Sequence, residues 1–184
     1  MTLTGRTRTL FLTSTALMTA VLCLMGPLSV PIGPVPVSLT NLAIYLLLYV
    51  LDAKRGTIAY LLYMLLGLMG LPVFSGFSGG PGKLLGPTGG YILGFLPMTF
   101  LIGLVIERFR EKRLVCVLFM ELFTWIPYLF GTAWLSRQAG MSFSAALAVG
   151  VLPFLAVDLI KMGIAALAGP VLYHRLGQLR ESSL

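Results

Sequence analysis

The amino-acid sequence predicts an all-α integral membrane protein, with six transmembrane helices in a single domain, 1–184. Two observations support this prediction. The chain is 58% hydrophobic and only 10% charged, with a mean hydropathy of +0.96, far from the composition of an ordinary globular domain. Its apolar residues also form long runs, and a helix needs about 20 residues to cross the hydrocarbon core of a bilayer. No polar stretch is long enough to form a second domain.

Six apolar segments reach or approach this length. The predicted spans are 9–25, 39–51, 57–71, 90–106, 114–135 and 143–173. The first follows Arg6 and Arg8 and has no small-residue cleavage site before Pro27, so it is interpreted as a membrane helix rather than a secretory signal. The second and third are short, and are expected to be tilted or to be extended by their flanks. The sixth is long, and Pro153 is expected to mark a bend or an early break.

The basic residues predict the orientation of this bundle. The chain has 13 Lys and Arg against 6 Asp and Glu, a net charge of +7. Ten of the 13 share one side if both termini face the cytoplasm: Arg6, Arg8, Lys54, Arg55, Arg108, Arg110, Lys112, Arg113, Arg175 and Arg180. Because cytoplasmic loops of membrane proteins are enriched in Lys and Arg, both termini are predicted to be cytoplasmic. Membrane topology thereby accounts for the positive charge, and no nucleic-acid partner is expected.

Two loops are then predicted on the outer face, where they cover a ligand pocket. The first is the proline-rich segment 27–36. The second is glycine-rich, with seven glycines in 75–90, at positions 76, 79, 80, 82, 86, 89 and 90. Glycine allows a backbone to approach a ligand closely, and Thr88 and Tyr91 place polar groups where the chain re-enters the membrane. The glycine-rich loop is therefore expected to form a lid or a pocket wall.

Asp158 and Lys161 are the strongest candidates for ligand binding. They are three residues apart, so they share one face of a helix, and both lie well inside the sixth span. Ionisable side chains at such a depth are costly and usually face the interior of the bundle. The alternative is a buried ion pair that only holds the fold together, although such pairs are often no more stabilising than apolar replacements.

Glu121 is the other charge predicted to lie deep in the membrane. Three roles remain open for it: a cavity-facing ligand residue, a contact with a partner protein, or a carboxylate paired with a cytoplasmic arginine. Trp125 and Tyr128 follow at i+4 and i+7 and share its stripe, which is more often a packing surface than a ligand site. Nearer the outer end, Tyr128 and Trp134 are candidates for an apolar wall beside a ring-shaped ligand.

Ala16 and Ala20 form a small-xxx-small pattern in the first span. Small residues at this spacing allow a second helix to approach closely, so they are candidates for a helix–helix contact.

Several classes of function are disfavoured. The segment 79–84 is not a phosphate-binding P-loop, because Phe77 stands at the position of its first glycine and Leu84 replaces the Ser or Thr. His174 is the only histidine, and no nucleophile with a base is recognisable. An enzyme, a metal site and a cofactor are therefore not expected, and any transport must draw its energy from another subunit. A channel is disfavoured because the spans lack a continuous polar stripe.

Five motifs together make the chain similar to the BioY family, the substrate-binding S components of energy-coupling-factor (ECF) biotin transporters. They are Pro-Val-Ser-Leu at 36–39, Arg-Gly at 55–56, Gly-x-x-Gly-Leu-Pro-Val-Phe at 67–74, Gly-Pro-Thr-Gly-Gly-Tyr at 86–91 and Asp158-x-x-Lys161. The resemblance runs over nearly the whole chain. The loop motif and the charged pair are specific in combination, whereas either alone is not. Family members often carry Gln after the first motif, where this chain has Thr40 followed by Asn41, and one position changes the direction of a side chain by about 100° on a helix.

The resemblance implies a six-helix bundle with cytoplasmic termini, in the plasma membrane of a prokaryote. It implies that the chain captures biotin at the outer face and then docks onto a transmembrane coupling subunit and two ABC-type ATPases. In the family, an Ala-x-x-x-Ala pattern in the first helix contacts the coupling subunit, which corresponds to Ala16 and Ala20. The alternative is an S component for another small vitamin-like molecule.

The resemblance also suggests a role for each candidate site residue. Asp158 would accept the ureido N–H groups of biotin, and Lys161 would donate to a ligand oxygen. The lid residues Thr88, Gly89, Gly90 and Tyr91 would close the pocket, and Lys83 would meet the valerate carboxylate at its mouth. The other predicted ligand residues are Asn41 and Tyr128.

Overall fold

A computed structural model of the protein describes the backbone of residues 5–182 and the side chains of residues 9–176. Over that range the chain forms eight helices. They are α1 (Gly5–Met25), α2 (Thr40–Val50), α3 (Ala53–Leu68), α4 (Pro81–Leu85), α5 (Gly89–Phe109), α6 (Arg113–Ala139), α7 (Phe143–Gly150) and α8 (Leu152–Ser182). The helical class predicted from the sequence is confirmed. The side chains of Arg6, Arg8 and Arg180, which entered the orientation prediction, lie outside the described residues.

One part of the fold differs from an all-helical prediction. Between α1 and α2 the chain forms two short antiparallel strands, β1 (Ser29–Val30) and β2 (Val37–Ser38), in which Ser29 faces Ser38 and Val30 faces Val37. The intervening segment 31–36 contains three prolines and a glycine, which disfavour helix and favour a turn. The proline-rich loop is therefore a small hairpin.

The predicted sixth span is divided into two helices. The helix α7 ends at Gly150 and α8 begins at Leu152, so Pro153 lies in the first turn of α8. Proline is tolerated there because the N–H groups of a first turn have no partner within the helix. Of the two possibilities predicted for Pro153, the early break is the one observed.

Three of the described segments are long and apolar enough to cross a membrane, namely α5, α6 and the stretch 143–176. The chain is accordingly an integral membrane protein. At 1.5 Å per residue, α2 is only about 16 Å long, well short of a hydrocarbon core of about 30 Å. The segment before α2 does not extend it as a helix, and the helix is instead surrounded by protein, packed against α8, α5, α1 and α3. Non-helical backbone at membrane depth is tolerated where protein covers it or where it lines a cavity.

The loops divide the bundle into two ends. The glycine end carries the segments 26–39, 69–88 and 140–142, and the basic end carries the segments 51–52 and 110–112 with the last turns of α8. At the glycine end the Gly76 N–H donates to the Pro27 carbonyl oxygen at 3.0 Å. The predicted neighbourhood of the proline-rich and glycine-rich loops is therefore confirmed.

The basic end is held together by carboxylates that meet helix starts. Asp52 caps α3 by accepting the Arg55 N–H at 2.7 Å, and its other oxygen accepts from Arg55 Nε at 2.7 Å. Glu107 of α5 accepts the N–H of Ala53, the first residue of α3. These contacts join the α2–α3 connection to α5, and they leave α2 enclosed at the centre.

Candidate ligand-binding cavity

A cavity opens at the glycine end of the bundle, between the two loops and the helices α2, α3, α5, α6 and α8. It holds about 650 Å³ of atom-free space, part of it continuous with solvent. Its lining is mostly apolar and aromatic. The residues are Val35, Pro36, Ser38, Thr40, Asn41, Tyr60, Tyr63, Phe74, Ser75, Thr88, Tyr91, Ile92, Phe95, Pro127, Tyr128, Gly150, Phe154, Asp158 and Lys161.

A connected set of polar side chains forms one wall of this cavity. We call Asn41, Tyr128, Asp158 and Lys161 the cavity cluster. Asp158 and Lys161 are 4% and 5% exposed, and Lys161 Nζ lies 2.9 Å from Asp158 Oδ1. The Tyr128 hydroxyl donates to Asp158 Oδ2 at 2.7 Å. The charged pair predicted on one face of a helix is therefore turned toward a hollow rather than toward lipid.

Lys161 has used all its hydrogen-bonding capacity within the protein. An ammonium group has three donors, and three acceptors surround this one. Lys161 Nζ donates to Asp158 Oδ1 at 2.9 Å, to Asn41 Oδ1 at 3.0 Å and to the Ser38 carbonyl oxygen at 2.7 Å. The lysine thus ties α8 to the start of α2, and it has no donor left for a ligand unless one of these bonds breaks.

Asp158, by contrast, has acceptor capacity to spare. An ionised carboxylate offers about four lone-pair positions, of which Lys161 and the Tyr128 hydroxyl take two. The two bonds hold the carboxylate plane in one orientation, and Lys161 balances its charge. The site therefore presents a fixed, neutralised pair of oxygens to a ligand that brings N–H donors.

Asn41 adds a donor beside those oxygens. Its Oδ1 accepts from Lys161 Nζ and from the N–H of Leu42 at 3.1 Å, which places the amide nitrogen on the other side. None of the hydrogen bonds among the described residues uses that nitrogen as a donor. The cavity cluster thus combines free acceptors on Asp158 with a free donor on Asn41.

The opposite wall of the cavity is aromatic. The hydroxyl of Tyr60 donates to the Ile92 carbonyl oxygen at 2.8 Å, and that of Tyr63 to the Val73 carbonyl oxygen at 3.0 Å. Because their polar groups bond to backbone, these rings offer apolar faces. Tyr63 and Phe74 pack edge to face, with ring centroids 5.5 Å apart.

One side-chain hydrogen bond anchors the glycine-rich loop, and another fixes the start of α5, the helix that follows it. The indole N–H of Trp134 donates to the Gly86 carbonyl oxygen at 2.9 Å. The Tyr91 hydroxyl donates to the Gly150 carbonyl oxygen at 3.1 Å. A Cβ atom on Gly131 would overlap the Tyr91 ring, so the absence of a side chain there allows α6 to pack against it. Trp134, a candidate ligand wall, does not line the cavity and anchors the loop.

Six of the predicted site residues line the cavity. They are Asn41, Thr88, Tyr91, Tyr128, Asp158 and Lys161. Their roles in ligand binding stay predictions.

Lys83, Gly89 and Gly90 do not belong to this lining. A Cβ atom on Gly89 would overlap the Leu84 carbonyl oxygen, and one on Gly90 would overlap the Trp134 side chain, so both glycines serve close packing of the α5 start. Lys83 lies in α4, where burial lowers the pKa of its ammonium group. Nearby anionic groups would raise that pKa. The positions of these three residues do not favour the contacts predicted for them.

Much of the lining was not singled out from the sequence. Ser38, Thr40, Tyr60, Tyr63, Phe74, Ser75, Phe95 and Phe154 all contribute to it. Ser38 and Phe74 fall inside two of the recognised motifs, and this membership was the only sequence feature that could have identified them as lining residues. The other aromatic residues lie in apolar runs, where the sequence does not distinguish a side chain facing a cavity from one facing lipid.

Two further candidates lie away from the cavity. Glu121 is half-buried, and no arginine whose side chain the structure describes lies within ion-pair distance of it, so the arginine pairing considered for it is not observed. Ala16 and Ala20 are both exposed on α1, which packs against α3 and α2. They leave a surface of small side chains on the outside of the bundle.

Comparison with known proteins identifies similar chains. A family model described as the BioY family matches residues 1–178. The chain is 38% identical to biotin transporter BioY2 of Lactococcus lactis subsp. cremoris over 165 residues, 90% of this chain and 91% of that one. It is 40% identical to biotin transporter BioY of Thermotoga maritima over 159 residues, 81% of this chain and 87% of that one. A crystal structure described as the S-component for biotin from an ECF-type ABC transporter superposes with a TM-score of 0.84 at 32% identity, covering 93% and 94% of the two chains.

Proposed function

The chain belongs to the BioY family, and from this membership and the chemistry of its cavity we propose that it captures biotin as the S component of an ECF-type transporter. Its named relatives are transporters rather than enzymes. The observation that carries the proposal is a buried carboxylate, Asp158, which lines the cavity at the glycine end and has acceptor positions left over.

The ureido ring of biotin matches the cavity cluster. It has two N–H donors and one carbonyl acceptor, and Asp158 and Asn41 offer the reverse. We assign one ureido N–H group to the Asp158 carboxylate and the ureido oxygen beside it to the Asn41 amide nitrogen. Lys161 fixes both partners, since it bonds to both at 2.9 and 3.0 Å. It is thus a positioning residue, which revises the prediction that it donates to the ligand.

The rest of the biotin molecule fits the remaining walls. Its sulfur-containing ring is apolar and packs on the faces of Tyr60, Tyr63 and Phe74. Its valerate carboxylate then lies toward the glycine end, where the hydroxyls of Thr88 and Ser75 line the cavity and make no hydrogen bond within the part of the chain that the structure describes. These hydroxyls replace Lys83 as the proposed partners of the carboxylate.

A site of this kind discriminates strongly against analogues. Buried polar groups that only the correct ligand satisfies leave an unpaired carboxylate or amide when a wrong ligand enters. We therefore expect alkylation of a ureido nitrogen to weaken binding more than shortening of the valerate chain.

Isothermal titration of the purified protein tests the proposal. The wild-type protein should bind biotin, and Asp158→Asn should weaken binding by at least 100-fold because the substitution removes the charge at nearly constant volume. Glu121→Gln is the matched control, a half-buried carboxylate of α6 that does not line the cavity, and should change affinity by less than about twofold. A folded Asp158→Asn protein with wild-type affinity would remove the assignment of Asp158. Copurification of a different small molecule, without biotin binding, would favour the alternative S component.

The membrane arrangement is part of the same proposal. We place both termini and the basic end in the cytoplasm of a cell with the chain in its plasma membrane, crossing six times, because Lys and Arg concentrate at the basic end. The first crossing is α1, the second and third contain α2 and α3, the fourth and fifth are α5 and α6, and the last is α7 with α8. The glycine end then receives biotin from outside.

Delivery into the cell requires partners. We propose docking onto a transmembrane coupling subunit served by two ABC-type ATPases, with the exposed Ala16 and Ala20 of α1 at the contact, since small residues let helices approach closely. Ala16→Trp should reduce copurification of the coupling subunit while leaving biotin affinity unchanged. Leu62→Trp, which adds bulk on the exposed face of α3, is the control. Loss of biotin binding in Ala16→Trp would contradict the role assigned to that face.

A further inference from the structure

A second cationic feature lies at the basic end, remote from the cavity. The α5–α6 connection carries four basic residues within six positions: Arg108, Arg110, Lys112 and Arg113. The two carboxylates in that stretch already have partners. Glu107 accepts the Ala53 N–H, and Glu111 lies 3.1 Å from His174 Nε2. Among the described side chains, none of the four cations forms an ion pair with a carboxylate.

Arg110 is the member of this group that stacks on an aromatic ring of another helix. Its guanidinium carbon lies 3.7 Å from the centroid of the Tyr173 ring of α8, so the aromatic ring holds the plane of the guanidinium. Its Nε is buried and has no hydrogen-bond partner. None of its nitrogens donates to any acceptor in residues 9–176. A stacked guanidinium with unused planar donors is a geometry suited to phosphate.

An apolar surface begins directly beside these cations. Leu114 directly follows Arg113 on α6, and Leu118 lies one helical turn further on. The two leucines are 72% and 60% exposed. At 1.5 Å per residue, α6 is about 40 Å long, longer than a hydrocarbon core of about 30 Å. Since such a helix extends beyond the hydrocarbon core, we place its basic first turn at the depth of lipid headgroups and the leucines at the depth of the acyl chains.

From this juxtaposition we propose that the basic end holds an anionic phospholipid between the α5–α6 connection and Tyr173 of α8. The lipid phosphate accepts hydrogen bonds from Arg110 and Arg113, and the acyl chains lie along Leu114 and Leu118. The apolar strip favours a lipid over a free phosphate ion, since a soluble anion would gain nothing from it. The site is separate from the cavity and does not depend on which small molecule the cavity binds.

Native mass spectrometry of the detergent-purified chain tests this proposal, with dioleoyl phosphatidylglycerol compared against dioleoyl phosphatidylcholine. Wild-type protein should retain phosphatidylglycerol preferentially. Arg110→Gln should weaken that retention about fivefold, the effect of one basic residue near an anionic membrane surface. Lys54→Gln is the matched control, because it removes one exposed cation at the same end but outside the cluster. It should change retention by less than about twofold.

Three results would overturn the proposal. Equal losses in Arg110→Gln and Lys54→Gln would indicate general surface attraction. Full competition by inorganic phosphate would indicate a site for a soluble anion. Unchanged lipid retention in Arg110→Gln together with loss of the coupling subunit would indicate a protein contact instead. If Arg110→Gln does not fold, Arg113→Gln, at an exposed side chain, tests the same site. Biotin titration of each variant separates a failure here from a failure of the proposed function.

Discussion

Two polar clusters of residues, one at each end of the bundle, differ in the hydrogen-bonding groups that they leave unpaired. In the cavity cluster each donor of Lys161 has an acceptor within 3.0 Å, and the unused capacity lies in the acceptors of the compensated Asp158 carboxylate and in the neutral Asn41 amide nitrogen. We call Tyr49, Arg110, Cys116 and Tyr173 the basic-end cluster. There the Arg110 Nε and the Tyr49 hydroxyl are buried without a partner, and the unused capacity lies in donors.

This difference determines which molecules each cluster suits. Spare acceptors beside a compensated carboxylate suit a neutral ligand with N–H groups, whereas spare cationic donors suit an anion. The difference also has an energetic side, because a fully paired network loses more when one member is removed than an unpaired group does. Substitutions in the two clusters should therefore rank by the bonds that they break.

Lys161→Met should have the largest effect on stability. It leaves the buried Asp158 carboxylate without its counter-charge, and breaking a buried pair in this way costs about 3–5 kcal/mol. The free energy of unfolding, measured by titrating detergent-solubilised protein with sodium dodecyl sulfate, checks this expectation. The double variant Asp158→Asn with Lys161→Met removes both charges and should recover most of the loss, yet it should not recover biotin binding. Equal stabilities of wild type and Lys161→Met would show that the pair contributes little to the fold.

Part of the cavity lining was predictable from the sequence. Asp158 and Lys161 stand out because charged residues are rare in so apolar a chain, and their spacing places them on one helical face. Thr88 and Tyr91 were found because glycines and a turn precede them. In each case a local anomaly of the sequence was enough to identify the residue.

The rest required the three-dimensional structure. Tyr60 and Tyr63 face the cavity rather than lipid because of how α3 is rotated against its neighbours, and an apolar sequence does not encode that rotation locally. The three acceptors around Lys161 come from α8, from the start of α2 and from the strand before it, so its saturation is a long-range property. In the sequence, Arg110 is likewise indistinguishable from the other basic residues of its loop. Only the fold places its guanidinium against the Tyr173 ring.

Tyr128→Phe should have the second-largest effect, and it separates stability from ligand recognition. It removes the hydrogen bond to Asp158 Oδ2, and a bond to a charged group contributes about 1.5–3 kcal/mol. Biotin affinity should also fall, by about tenfold, because the carboxylate loses one of the two bonds that orient it. Calorimetry and unfolding of the same preparation measure both quantities. Unchanged biotin affinity with reduced stability would show that Lys161 alone orients Asp158.

Arg110→Met should cost less than either substitution in the cavity cluster. The guanidinium has no hydrogen bond to lose within the described part of the chain, so the cost is that of the cation–π contact with Tyr173, about 0.5–2 kcal/mol. Unfolding should be followed in a neutral detergent without anionic lipid, so that lipid binding does not contribute. Tyr173→Leu removes the same contact from the other side and should give a similar value. A loss as large as that of Lys161→Met would reveal a bonded role for Arg110 and would erase the contrast between the clusters.

The smallest expected effects on the unfolding free energy come from Tyr49→Phe and Tyr45→Phe. Each variant removes one hydroxyl from a buried tyrosine of α2. The Tyr45 hydroxyl lies 2.7 Å from Thr124 Oγ1, so its removal should cost about 0.5–1.5 kcal/mol. The Tyr49 hydroxyl is unpartnered, and the neighbouring Cys116 thiol is directed to the Phe109 carbonyl oxygen at 3.2 Å. Because an unpaired buried polar group costs free energy, Tyr49→Phe should leave the unfolding free energy unchanged or raise it. Equal losses in the two variants would mean that the Tyr49 hydroxyl is bonded in the folded protein, and that the basic end is as fully paired as the cavity.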